Sequence, residues 1–301
     1  MIVATRPRYD WSLRTRSLAL GARTLLVGVV NITPDSFSDG GQFFSPQKAV
    51  EHSLRLLDEG ADILDLGGES TRPGTRPRVS VQEELDRVLP VLETVLRERP
   101  GTVLSIDTYK AATARAAIAA GAEIVNDVSG FQWDEAMAST CAELQSGVIL
   151  MHTRGHMNEW RAQPPIPHDE VVPLVLRELR ERSEAALEAG VQRASLVLDP
   201  GFGFGKSFEE NYPLLAHLDE LHALGYPVLS GTSRKSFLGR TLAGIFGYDT
   251  PPNQRDNATL ASVTAAVLAG AHLVRVHNVK DVREAVAIAD AIRCGAKDDH
   301  A

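Results

Sequence analysis

Asp107, Asn126, Asp199 and Lys235, with Arg275 and His277, are the residues of this 301-residue chain whose types and spacing best suit chemistry. Most of them close a short apolar run: Leu104 and Ile106 lead into Asp107, and Leu196, Val197 and Leu198 lead into Asp199. Such runs drag a carboxylate toward the interior, where leaving it unpaired costs several kcal/mol. Either aspartate alone could cap a local turn, Asp199 before Pro200-Gly201 above all. Two of them on one rim, with the amide of Asn126, are better explained by a shared ligand. Buried carboxylates beside an amide suit a flat, nitrogen-rich heterocycle, because an amidine edge offers a carboxylate two parallel N–H donors, as guanidinium does.

A second, basic group follows the last two apolar runs: Ser233-Arg234-Lys235, then Arg275 and His277. Arg275 and His277 alternate with Val274 and Val276, so both side chains should point inward. Cations so placed suit phosphate; Lys235 beside them could instead serve as a Schiff-base amine. Two tempting motifs fail. Gly201 and Gly205 of Gly201-Phe202-Gly203-Phe204-Gly205-Lys206-Ser207 enclose three residues, whereas a P-loop needs four, and Lys206 stands where the dinucleotide fingerprint needs glycine. His152 and His156 have zinc-like spacing but begin at a strand end and lack the glutamate of a helical zinc motif, so a hydrogen-bonded strand-end histidine is the simpler reading.

The elements that must position these groups are legible in the apolar pattern. Val-, Ile- and Leu-rich runs near 25–31, 62–67, 103–107, 123–128, 147–152, 195–199, 227–231 and 272–277 read as parallel strands buried on both faces. Between them the pattern is helical. Leu85, Val88, Leu89, Leu92 and Leu96 form a stripe over 80–98, opened by a capping box at Ser80 and Glu83. Ser207 and Glu210 suggest another such start, with Leu214, Leu215, Leu218 and Leu221 inward, and Ser45-Pro46 a third. Glu59-Gly60-Ala61, Ala120-Gly121-Ala122 and Ala269-Gly270-Ala271 repeat a helix end, a glycine turn and a strand start. Eight such units predict an α/β fold, a (β/α)8 TIM barrel with its active face at the strand C-termini; an open doubly wound sheet is the alternative. Residues 1–24 are expected to form a small appendage at the barrel bottom, 25–293 one barrel domain, and 294–301 a tail. The loops from Asn31 to Gly41 and from Glu69 to Gly74 have the composition of lids.

Composition narrows the function classes. A net charge of −8 argues against nucleic acid as the partner. No run is long and apolar enough for a membrane span or signal peptide. Two cysteines without a Cys-x-x-Cys pair indicate neither a disulfide framework nor a thiolate zinc site, which fits a reducing cytoplasm.

Taken together, Asn31 to Gly41, Asp65 to Gly74, Ser105 to Thr108, Asn126 to Gly130, Leu198 to Lys206, Ser233 to Ser236 and Arg275 to His277 resemble the dihydropteroate synthase family over roughly residues 24–290. The resemblance implies condensation of 6-hydroxymethyl-7,8-dihydropterin pyrophosphate with p-aminobenzoate, releasing pyrophosphate, in an enzyme that sulfonamides inhibit. It implies that Asp107, Asn126, Asp199 and Lys235 bind the pterin between walls of Met151 and Phe204. Asn31, Arg275 and His277 would hold the pyrophosphate with Mg2+, Asn31 being the metal ligand. Ser233 and the following helix N-terminus would receive the aminobenzoate carboxylate, with Phe37, Thr71, Arg72 and Pro73 closing over it. Asn31, Lys235, Arg275 and His277 would be the catalytic set, in a homodimer. Two departures stand out: Thr153-Arg154-Gly155 where Met-Gln-Gly is common, and Asn278 where aspartate is usual. A corrinoid-dependent methyltransferase barrel, a non-catalytic pterin-binding paralogue and a Schiff-base aldolase are the competing readings.

Overall fold

The structure, a computed structural model, describes residues 3–33, 46–70 and 79–295. A hairpin of β1 (Tyr9–Ser12) and β2 (Ser17–Leu20) opens the chain. After it, parallel strands alternate with helices: β3 (Leu25–Asn31), α1 (Pro46–Glu59), β4 (Ile63–Gly67), α2 (Val81–Glu98), β5 (Val103–Asp107), α3 (Ala111–Ala119), β6 (Ile124–Asp127) and α4 (Met137–Leu144). The second half continues with β7 (Gly147–Met151), α5 (Val171–Glu188), β8 (Leu196–Asp199), α6 (Asn211–Ala216), β9 (Leu229–Ser230), α7 (Ser236–Phe246), α8 (Asp256–Leu268), β10 (Leu273–Val276) and α9 (Val279–Gly295). The strands pair in the order β8-β7-β6-β5-β4-β3-β10-β9. A bridge between Leu198 and Val228 joins the two ends and closes the (β/α)8 TIM barrel. That seam is thin because Pro227 has no N–H to give the ladder; only its carbonyl takes part, accepting from Leu198 N at 2.9 Å.

Helix boundaries follow local chemistry. Ser80 caps α2, its hydroxyl accepting from Glu83 N at 3.2 Å, while the Glu83 carboxylate turns instead to Arg87. The buried face of α2 centres on Val88, Val91, Leu92 and Val95, one position round from the expected stripe, so that Leu85, Leu89 and Leu96 are half-buried. At Ser207 only the reverse half of the box forms: Glu210 Oε2 accepts from Ser207 N at 2.7 Å, and α6 starts after Glu210. Gly60 and Gly121 end their helices at φ +105° and +114°, conformations that a side chain would strain.

The alternation of the strands sorts the core into two parts. Leu26, Val30, Leu64, Leu66, Leu104, Ile106, Leu150 and Leu198 face outward, packed under the helices. Val27, Ile63, Val103, Ile124, Ile149, Val197, Leu229 and Leu273 face the lumen and form a separate apolar layer with Trp11, Leu13 and Leu20 of the hairpin. The hairpin is therefore the barrel's floor plug, and Trp11 Nε1 donates to Ser195 O at 2.8 Å to fix it. Two residues further along, one pleat above that floor, five of the eight strands turn polar, with Asp65, Ser105, Asn126, Asp199 and Arg275.

Candidate functional site

The Arg275 guanidinium organises the polar layer. Its Nε donates to Asp65 Oδ2 at 2.6 Å and its Nη2 to Asp107 Oδ2 at 2.7 Å. Asn126 Nδ2 donates to the same Asp65 oxygen at 2.9 Å. Four strands thus contribute one chain of contacts, Asn126–Asp65–Arg275–Asp107. Burial pushes the Asp107 carboxyl up to about 7; Arg275 opposes the rise, and Asp65 and Glu84 add to it. Burial works against the Arg275 charge too, yet Asp65 and Asp107 outweigh it and hold the guanidinium above its usual range. Asp65 is the residue that sequence reasoning passed over. Its signal was parity: in Ile63-Leu64-Asp65-Leu66-Gly67 it shares the lumen side with Ile63, so it could face nothing but the site.

Asp199 lies across the lumen. Burial raises its carboxyl, against the Gly201 N–H, which donates to Oδ1 at 2.7 Å, and against Lys235. The Lys235 ammonium sits 3.8 Å from the centre of the Phe204 ring, a cation–π contact at the mouth. Phe204 and Met151 belong to an apolar patch with Tyr109, Val128, Trp133 and Met157. The loop after Asp199 is clamped from below by Lys206, whose Nζ donates to Gly201 O and meets His152 Nδ1, both at 2.8 Å. His152 Nε2 lies 3.0 Å from Glu178 Oε2, so both ring nitrogens are engaged and burial holds the imidazole neutral, well below its usual pKa. His156 stacks on Trp133 instead, and zinc-like pairing with His152 does not occur.

At the seventh strand end, Ser233 Oγ is 3.0 Å from His277 Nδ1, which joins the two residues on one side of the mouth. Arg234 has φ +58° and pairs bidentately with Asp256 at 2.7 and 2.9 Å. The Ser233-Arg234-Lys235 turn is gripped further by Arg255 Nη1, which donates to Arg234 O at 3.0 Å. Helix α7 then begins at Ser236, an exposed residue, with no side-chain cap on its first turn. The two departures are structural: Arg154 donates to Gly205 O at 3.1 Å and Pro164 O at 3.0 Å, and Asn278 donates to Asp256 and to Asp281 near the start of α9.

Asn31 ends β3, half-buried, paired in register with Gly67 and so level with Asp107, which is paired with Gly67 from the other side, one strand away. No group of three or more His, Cys, Asp or Glu among the described residues could hold a metal by itself. Phe37, Thr71, Arg72 and Pro73 lie outside the described residues. The structure therefore brings Asp107, Asn126, Asp199, Lys235, Met151, Phe204, Arg275, His277, Ser233 and Asn31 to one barrel mouth. Two clefts at the opposite end, beside the hairpin, include none of them.

The pterin binding enzyme family matches residues 27–277. The dihydropteroate synthase of Bacillus subtilis (strain 168) is 42% identical over 276 residues, covering 92% of this chain and 91% of that protein. A solved structure of Xanthomonas albilineans dihydropteroate synthase with 4-aminobenzoic acid is 43% identical with a TM-score of 0.84, covering 96% of this chain and 99% of that one. A Yersinia pestis dihydropteroate synthase in a sulfonamide drug complex gives a TM-score of 0.85 at 40% identity, covering 95% and 99%.

Proposed function

The chain belongs to the pterin-binding enzyme family, among its dihydropteroate synthases, and from that premise we propose how its own side chains perform the reaction. The enzyme condenses 6-hydroxymethyl-7,8-dihydropterin pyrophosphate with p-aminobenzoate to give 7,8-dihydropteroate and pyrophosphate. Asp107, Asn126 and Asp199 hold the donor-rich edge of the pterin, Lys235 faces its carbonyl oxygen and N5, and Met151 and Phe204 wall the ring. The methylene–oxygen bond breaks with its electron pair leaving on pyrophosphate, and the electron-rich ring stabilises the methylene cation. The aminobenzoate nitrogen then adds its lone pair to that carbon and releases a proton. So weak a nucleophile needs no strong base, because the barrier lies in departure of the leaving group.

Arg275 and His277 meet the pyrophosphate; among the described residues Arg275 has Nη1 to spare, since its two ion pairs use Nε and Nη2. Preorganised cations of this kind stabilise charge that develops on the leaving oxygen. A Mg2+ ion fits the donor set, because Mg2+ takes one or two protein oxygens and fills the rest of its shell with phosphate and water. The amide oxygen of Asn31 would supply the protein's share, and the ion when bound neutralises diphosphate charge. The uncapped N-terminus of α7, beside Ser233 and Ser236, receives the aminobenzoate carboxylate.

The observation that supports this reading most is the convergence of Asn126 and Asp199, one pleat above a sealed apolar floor, with Asp107 one pleat higher, where Arg275 binds Asp107 and Lys235 stands at the mouth. The test mixes protein, dihydropterin pyrophosphate, Mg2+ and p-aminobenzoate and follows pyrophosphate. Release that depends on the amine is expected; release indifferent to it, or none, would reject the assignment. Homodimerisation through the exposed side of α9, where Ile288 and Ile292 stand out, belongs to the same proposal. So does a cytoplasmic location, which the two free cysteines fit. No helix among the described residues is long and apolar enough to cross a membrane.

A further inference from the structure

Asp65 is fully buried yet only half satisfied. Its Oδ2 accepts from both Asn126 Nδ2 and Arg275 Nε, while Oδ1 has no partner among the described residues, and neither has the neighbouring Ser105 Oγ. The lumen layer just beneath it, from Ile63 to Leu273, is wholly apolar, so the fold has no general need of a carboxylate at this depth. A buried, half-paired charge is costly and calls for a role beyond packing. Its effect on Asn126 supplies one. An amide presents N–H2 on one side and oxygen on the other. With one Nδ2 hydrogen committed to Asp65, the orientation of the amide is fixed and Oδ1 is the acceptor it leaves for the mouth. Asp107 Oδ1 and Asp199 Oδ2 have no hydrogen bond among the described residues, and neither counts among the sealed, partnerless atoms there.

Resting on the pterin-site reading above, we propose that Asp65 is a positioning residue that fixes Asn126 as an acceptor toward the ligand. It thereby makes the pocket selective for a heterocycle edge built of N–H donors. The carboxylate acts through Asn126 without touching the ligand itself. Arg275 is its counter-ion, which allows the charge to persist at that depth.

The test measures binding of 6-hydroxymethylpterin and of its 2-oxo counterpart, in which the amino donor is replaced by a carbonyl acceptor. Asn126→Asp alone sets two carboxylates at the 2.9 Å spacing now bridged by a hydrogen bond, and pterin affinity should fall about 100-fold or more. Adding Asp65→Asn to that variant restores a donor between the two positions and leaves an acceptor facing the ligand. The double exchange should therefore return to within about tenfold of wild type and keep the 2-amino preference. Asp65→Ala frees the amide to rotate and should shrink that preference about tenfold or more. A double exchange no better than Asn126→Asp would overturn the proposal, since it would mean that the ligand needs the Asn126 donor. An unchanged preference in Asp65→Ala would overturn it too, and if that variant does not fold the double exchange decides alone. A wild-type protein that binds neither compound would instead reject the functional reading itself.

Discussion

Replacing Arg275 with methionine is the most revealing perturbation, because one guanidinium balances two carboxylates, Asp65 fully buried and Asp107 largely so. It lies 2.6 Å from Asp65, whose side chain is 0% exposed, and 2.7 Å from Asp107. Methionine keeps most of the hydrocarbon stem but leaves both charges without a counter-ion. Removing one partner of a buried pair costs about 3–5 kcal/mol. The protein can soften that loss by taking up a proton, and Asp107 is already raised to about 7 with Arg275 in place. In the variant the carboxyl rises further above the ~3.9 it has in the unfolded chain. A raised acid favours the folded state at low pH, and that advantage is lost as pH climbs through the folded value. The deficit relative to wild type should therefore be fullest near pH 8 and shrink toward pH 5.5 by about 1 kcal/mol or more. Urea unfolding of both proteins at the two pH values measures it. A deficit under about 1 kcal/mol at pH 8, or one equal at both pH values, would refute the idea that Arg275 carries the charge balance of this layer.

Gly201→Ala should cost on the order of 4 kcal/mol in thermal unfolding or prevent folding, since φ is +67° and a Cβ there would lie 1.9 Å from the His152 carbonyl oxygen. Lys206→Met releases Gly201 O and His152 Nδ1 and should weaken pterin binding about tenfold by loosening the Phe204 loop; an unchanged titration would count against the clamp. His272, whose pKa burial lowers to about 3, stays neutral in the fold over the range where the unfolded chain takes up a proton, near the ordinary 6.5. Stability should fall as pH drops below that value, by up to about 1.4 kcal/mol per pH unit from this residue, and His272→Gln should flatten the slope between pH 6.5 and 5.

The barrel was legible because parallel strands buried on both faces leave continuous apolar runs, and because Ser80, Pro46 and the glycines at 60, 121 and 270 punctuate the helices. Where reading fell short, tertiary contacts made the difference. The hairpin of β1 and β2 carries charged and polar residues that hide its role, and Trp11 becomes a floor residue only once the barrel stands over it. Glu210 serves Ser207 and also Ile166 N at 2.7 Å, a distant backbone group that no local motif announces. Asp107, Asn126 and Asp199 announced themselves by ending apolar runs, whereas Asp65 sits inside one and shows itself only when strand parity is followed into the lumen. Arg275 faces the site as its alternation implied, but its partners, Asp65 and Asp107, lie 210 and 168 positions away and could be found only in three dimensions.

A crystal structure with pteroic acid bound would test the central claim most directly. The pterin ring is expected in the barrel mouth, its donor edge on Asp107, Asn126 and Asp199, its plane between Met151 and Phe204, and its benzoate carboxylate at the start of α7. A ring bound elsewhere, or turned so that those three residues meet no N–H donor, would contradict it.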